Sequence, residues 1–135
     1  MESELRFLPQ LRMERAREEL ENAEFNFMGG KYRVTVNRAY YAVFYAIRAA
    51  NALEHFDSSK HSGVIAFFTK TFLKNGLIGN PKEMSNMIRD ARRFRERGDY
   101  EDDYTVDQET AIQQLEDAKR FVSAVSRFLE SHTQL

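Results

Sequence analysis

The residues of this chain best suited to chemistry crowd into one stretch, RRFRERGDYEDDY, from Arg92 to Tyr104. Five of the nine residues from Arg89 to Arg97 are arginine, and planar guanidinium forks suit the oxygens of a phosphate. Helical spacing sets Arg89, Arg93 and Arg97 in one row, while Arg95 lies off it, one turn beyond Ala91 and nearer the apolar side. The plainer expectation is a solvated face on which Asp90 pairs with Arg93 and Glu96 with Arg92. The signs also cancel along the chain. Five arginines against Asp90 and Glu96 leave +3 up to Gly98, and four acids follow between Asp99 and Asp103. A non-specific RNA groove is not lined in that way.

Other chemistries find less support. The carboxylates Asp99, Glu101, Asp102 and Asp103 could hold Mg²⁺ only loosely. Crowded into one expected loop, they favour the N-terminus of the helix that follows. No glutamate has a histidine three residues on, and there is no His-Glu-x-x-His, so neither a di-iron bundle nor a zinc protease is indicated. No metal and no cofactor are expected. His55, His61 and His132 are scattered, with His55 and His61 flanking one loop and His132 in an expected frayed tail. Cysteine is absent, which removes thiolate sites and disulfides, and the glycine-rich phosphate loops are missing too.

With 135 residues, 42% hydrophobic and 30% charged, the chain has the composition of one folded domain spanning 1–135. Its net charge of -1 argues against a protein that simply coats nucleic acid or an anionic membrane. Uncharged runs such as Ala39 to Ile47 fall far short of the roughly 20 residues that cross a bilayer. The start, MESELRFLPQ, opens with acids and not with the basic-then-apolar order of a secretory signal. A cytoplasmic protein is the expectation.

The elements that must position these residues read as helices throughout. From about Gln10 to Met28 the stripe is Met13, Ala16, Leu20, Ala23 and Phe27, stopped by Gly29 and Gly30. From Tyr32 to about Leu53 the apolar arc is wider (Val36, Tyr40, Val43, Ile47, Ala50, flanked by Tyr41, Phe44 and Tyr45), as suits a central helix used for packing. A third helix, capped by Ser58 or Ser59, carries Val64, Phe67, Phe68, Thr71 and Phe72. A fourth starts at Pro81, uses Met84, Met87 or Ile88, Ala91 and Phe94, and stops at Gly98. The last runs through Ile112, Leu115, Ala118, Val122, Val125 and Leu129. The reading is all-α, a single bundle of about five helices.

Three segments, VNRAYYAVFYAIRAAN (Val36 to Asn51), KHSGVIAFF (Lys60 to Phe68) and RERGDYED (Arg95 to Asp102), resemble HEPN-domain proteins in identity and order. The likeness extends over nearly the whole chain. It implies a small helical bundle that forms a homodimer. It also implies pairing with a minimal nucleotidyltransferase, as a toxin–antitoxin couple, or metal-independent cleavage of RNA. In the family's ribonucleases an arginine is followed after a short polar gap by a histidine. The arginine stabilises phosphate charge and the histidine handles protons, in a site at the dimer interface.

Arg95 matches the arginine of that pattern, but Tyr100 stands where the histidine belongs, and Asp102 stands where some members carry a modifiable tyrosine. A phenol with a pKa of about 10 is a poor proton acceptor near neutral pH. The first expectation is therefore a HEPN interaction module that lacks the usual catalytic histidine. The alternative is a ribonuclease built on Arg95, with Asp99, Tyr100 or His61 in the histidine's place and Arg92, Arg93, Lys60 and His61 holding RNA or a nucleotide. A third reading is a plain scaffold in which Arg95 and Asp99 pair only to fix a helix end.

Overall fold

The structure, a computed structural model, describes the backbone of residues 2–133 and the side chains of 7–132. Five helices follow in order: α1 (Glu2–Met28), α2 (Tyr32–Ala52), α3 (His61–Phe68), α4 (Pro81–Tyr100) and α5 (Gln108–Thr133). A π-helical turn, Thr69–Leu73, extends α3. No strand occurs among the described residues, and the chain is all-α as the periodicity indicates.

Helix α2 is central: it packs against α1, α3, α4 and α5. The wide apolar arc explains this, because Val36, Tyr40, Val43, Phe44 and Ile47 are all buried. Five buried alanines, Ala39, Ala42, Ala46, Ala49 and Ala50, face the same core as Ala16 and Ala23 of α1. Small residues let helix axes approach closely. The last-helix stripe from Leu115 to Leu129 is buried as its spacing requires; Ile112, at its start, is only partly covered.

The punctuation is chemical. Gly30 takes φ 76, and the Lys31 N–H reaches back to the Asn26 carbonyl at 2.8 Å, a left-handed C-cap. His55 does the same at the end of α2 with φ 54, and Phe56 N–H bonds to the Asn51 carbonyl at 3.1 Å. Asn80 caps α4 by accepting the Glu83 N–H at 2.9 Å, with Pro81 in the first turn.

The elements differ from their sequence expectations in several places. Helix α1 starts well before Gln10 and carries Pro9 inside it; no stripe marks that part because Phe7 and Leu11 face outward, 62% and 54% exposed. Lys60, and neither Ser58 nor Ser59, occupies the cap position of α3; the Ser58 hydroxyl accepts the Lys60 N–H at 3.2 Å instead. The π turn shifts the phase after Phe68, so that Phe72 and Leu73 are buried while Phe67 and Thr71 are only half covered. Phe67 stacks on Phe56 instead.

Gly98 does not end α4: it is a buried helical residue, and the helix continues through Asp99 to Tyr100. Glu101, Asp102 and Asp103 after it are exposed as expected, but the residues that follow them are anchored. Val106 is buried with Val36 and Ala111, Tyr104 packs against that cluster, and the Arg33 guanidinium donates to the Tyr104 carbonyl. His132, expected in a frayed tail, is helical and packs on the Phe128 ring with centroids 4.0 Å apart.

Candidate functional site

Arg95 follows the buried Ala91 by one turn of α4, so its stem runs along the core edge and its side chain is only 17% exposed. Its Nη2 donates to the Tyr41 hydroxyl at 3.3 Å. The guanidinium carbon lies 5.0 Å from the Tyr40 ring centroid and 5.5 Å from that of Tyr41, within the range of cation–π attraction. The Nε atom is 3.1 Å from Asp99 Oδ2. It is buried and makes no aligned hydrogen bond, so the pair is held by charge and not by a directed N–H.

Asp99 sits four residues beyond Arg95, on the same helical face, and Asn37 of α2 donates to it at 3.3 Å. The Asn37 side-chain oxygen Oδ1 accepts from Arg38 Nε at 3.0 Å, and Arg38 Nη1 pairs with Glu19 of α1 at 2.8 Å. A polar chain thus runs from α1 through α2 to Arg95. Tyr100, five residues on from Arg95, projects about 140° away round the helix. It is 76% exposed and shares none of Arg95's contacts. Asp99 joins the arginine; Tyr100 does not.

A histidine comes to the same tyrosines from another helix. His61, the first residue of α3, places Nδ1 3.0 Å from the Tyr40 hydroxyl. Its ring stacks on Phe44 at 4.1 Å and meets the edge of Tyr41 at 6.1 Å. Burial lowers its pKa below 6.5, and the charges of Arg95, Arg92 and Arg48 lower it further. The imidazole is therefore neutral at neutral pH, with Nδ1 tied to the phenol and Nε2 unbonded among the described residues. Burial pushes the Tyr40 phenol up to about 12 against the opposing charges of Arg95 and Arg92, so the hydroxyl stays protonated.

The other candidates fall at varying distances from this cluster. Arg92 pairs with Glu96 at 3.3 Å, and its charge still acts on His61 and Tyr40. Arg93 points outward, 3.9 Å from Asp90 and over the Phe94 ring. Both ion pairs anticipated for the outer face are thus present. Lys60 is exposed just ahead of His61. His55 lies in the turn after α2, exposed, and makes no contact with the Arg95 cluster. No three His, Asp or Glu side chains among the described residues come together to hold a metal ion. No helix of the described residues is long and apolar enough to cross a membrane.

His61 also lines an open groove of about 550 Å³ with Phe44, Arg48 and Asp57. Burial raises the Asp57 pKa, but hydrogen bonds from Arg48 and the Ser58 N–H outweigh it and hold the carboxylate ionised. Sequence reasoning left Tyr40 and Tyr41 as packing residues. A signal was there, since a buried phenol such as Tyr40 needs a partner for its hydroxyl, and a second phenol, the partly buried Tyr41, stands beside it.

Comparison with known proteins covers most of the chain. A family model described as HEPN domain matches residues 9–129. A "UPF0332 protein" of Thermotoga maritima is 32% identical over 116 residues, 86% of each chain. Two proteins of Methanocaldococcus jannaschii, each named "Putative toxin", are 29% identical over 130 residues (95% of this chain, 87% of the other) and 30% identical over 118 (87% and 86%).

Proposed function

This chain belongs to the HEPN-domain family, and from that premise we propose that it is a toxin-type module that cleaves RNA without a metal. The observation that carries this reading is the neutral His61 meeting Tyr40, whose ring also lies beside the Arg95 guanidinium. The family's arginine-then-histidine spacing is broken by Tyr100, and His61 supplies from α3 the imidazole that α4 lacks. The names carried by two relatives are consistent with a toxin role.

The chemistry asks little more than these groups. His61 Nε2 takes the proton of a ribose 2′-hydroxyl, whose oxygen then bonds to the adjacent phosphorus. Arg95 stabilises the charge gathered on the phosphate oxygens, worth about 3 kcal/mol for a well-placed donor. The bond to the 5′-oxygen breaks, and that oxygen regains a proton from the imidazolium. Tyr40 holds the imidazole, and Asp99 holds the guanidinium until the phosphate arrives. The reading includes a homodimer and a minimal nucleotidyltransferase as the neutralising partner.

Purified protein in a chelator should cleave single-stranded RNA to products with 2′,3′-cyclic phosphate ends. Arg95→Ala and His61→Ala should each reduce the rate at least about 100-fold, with folding checked by circular dichroism. Cleavage by His61→Ala at the parent rate would end the proposal. A second reading, an interaction module working with the nucleotidyltransferase, is favoured by the occupation of Arg95 by Asp99. It gains if parent protein binds that partner in a pull-down yet leaves RNA intact.

A further inference from the structure

One groove is not used by the chemistry above. It lies between the α3–π-turn segment and α4, holds about 440 Å³, and is open to solvent. Its apolar part is Ile65 of α3 and Ile88 of α4, and its polar edge includes Ser85 and Thr69. Arg89, Arg92 and Arg93 all line it, against one carboxylate, Glu96. The volume is within the range of small-ligand sites, and the combination of an apolar wall with excess guanidinium matches a flat base carrying a phosphate.

Position connects it to the candidate site. Ile65 follows His61 by four residues of α3, about 6 Å along the axis, so the groove lies about one helical turn from the imidazole. Arg92 belongs to both places: it lines the groove, and its charge acts on His61 and Tyr40. The outer arginines are available to a ligand. Arg89 and Arg93 are 67% and 59% exposed, and both share the single carboxylate Asp90, at 3.5 and 3.9 Å. One carboxylate between two guanidiniums leaves positive charge uncompensated on this edge.

We propose that this groove is a subsite for the nucleotide next to the scissile phosphate, with Ile65 and Ile88 against its base and Arg89 and Arg93 on its phosphates. The inference rests on the ribonuclease reading and assigns that site a single-stranded RNA substrate, held along α4 rather than at one point. It also gives a role to three further arginines of α4, Arg89, Arg92 and Arg93, whereas Arg97 pairs with Glu101 and lies over the Tyr104 ring.

The test separates the subsite from the chemistry. Binding of a 2′-O-methyl oligonucleotide, which cannot be cleaved, is measured against salt concentration for the parent, for Arg89→Ala with Arg93→Ala, and for the same pair changed to Lys. Arg127→Ala on α5 serves as the distant control. The alanine pair should lower the slope of log affinity against log salt by about 1.4, roughly 0.7 for each phosphate given up. The lysine pair should restore it. On cleavable RNA, the alanine pair should lose at least about tenfold more kcat/KM on an oligonucleotide than on a dinucleotide, as expected for about 1.4 kcal/mol of remote binding.

An unchanged slope overturns the subsite even if the parent cleaves RNA. A reduced slope in a protein that cleaves nothing supports the subsite and removes the ribonuclease reading. Loss of an acidic protein partner from the alanine pair, with RNA binding intact, assigns the groove to protein and overturns the proposal.

Discussion

At Arg95 a carboxylate already occupies the guanidinium that a phosphate would need. Asp99 lies 3.1 Å away on the same helical face, with both side chains less than a third exposed. Asp99→Asn keeps the shape and removes the competing charge, so RNA should bind about fivefold more tightly, or ~1 kcal/mol, by fluorescence anisotropy. Unchanged affinity with lower stability would mean that the pair only fixes the helix end. His61 makes a pH-dependent claim. Burial and the nearby arginines lower its folded pKa below 6.5, so as the pH falls the unfolded chain binds the proton first. The stability it contributes is fully present above about pH 6.5 and is lost as the pH falls through the lower folded value. The drop in Tm between about pH 7 and pH 5 should be smaller in His61→Gln; equal drops would show that the imidazole is not held neutral.

For the elements, the sharpest contrast is between two glycines that read alike in the sequence. Gly30 has φ 76, where a Cβ is strained, whereas Gly98 lies inside α4 and a Cβ there would meet Arg33 Cγ at an ordinary 3.5 Å. Gly30→Ala should therefore cost about 1 kcal/mol, and Gly98→Ala should add roughly 0.5–1 kcal/mol, measured by chemical denaturation. Destabilisation by Gly98→Ala would put the helix end back at that glycine. Helix stop signals are local statistics, so they could not tell a glycine that caps from one that is merely tolerated. Continuation of α4 matters to the site because it carries Asp99 onto the face of Arg95. The π turn was equally hidden, since a one-residue phase shift leaves the apolar pattern Phe67, Phe68, Phe72, Leu73 readable in either phase.

On the scale of the whole molecule, the polar chain Glu19–Arg38–Asn37–Asp99–Arg95 ties three helices to one guanidinium. Glu19 is 7% exposed while Arg38 is more open, so Glu19→Ala should cost about 2 kcal/mol, between the values for exposed and fully buried pairs. Loss of stability with Arg95-dependent RNA binding intact would show that the chain braces the bundle and does not position the site. The sequence by itself determined the all-α class, the central role of α2, the outward ion pairs of α4 and the place of Arg95 beside the apolar face. Those rest on periods of three and four residues, which local spacing fully specifies. Only the tertiary structure decided that His61 meets Tyr40, 21 residues away in the chain, and that Tyr100 leaves the cluster. A loop sets where α3 lands on α2, and no helical period reaches across it. The imidazole beside the Arg95 tyrosines thus comes from outside RRFRERGDYEDDY altogether.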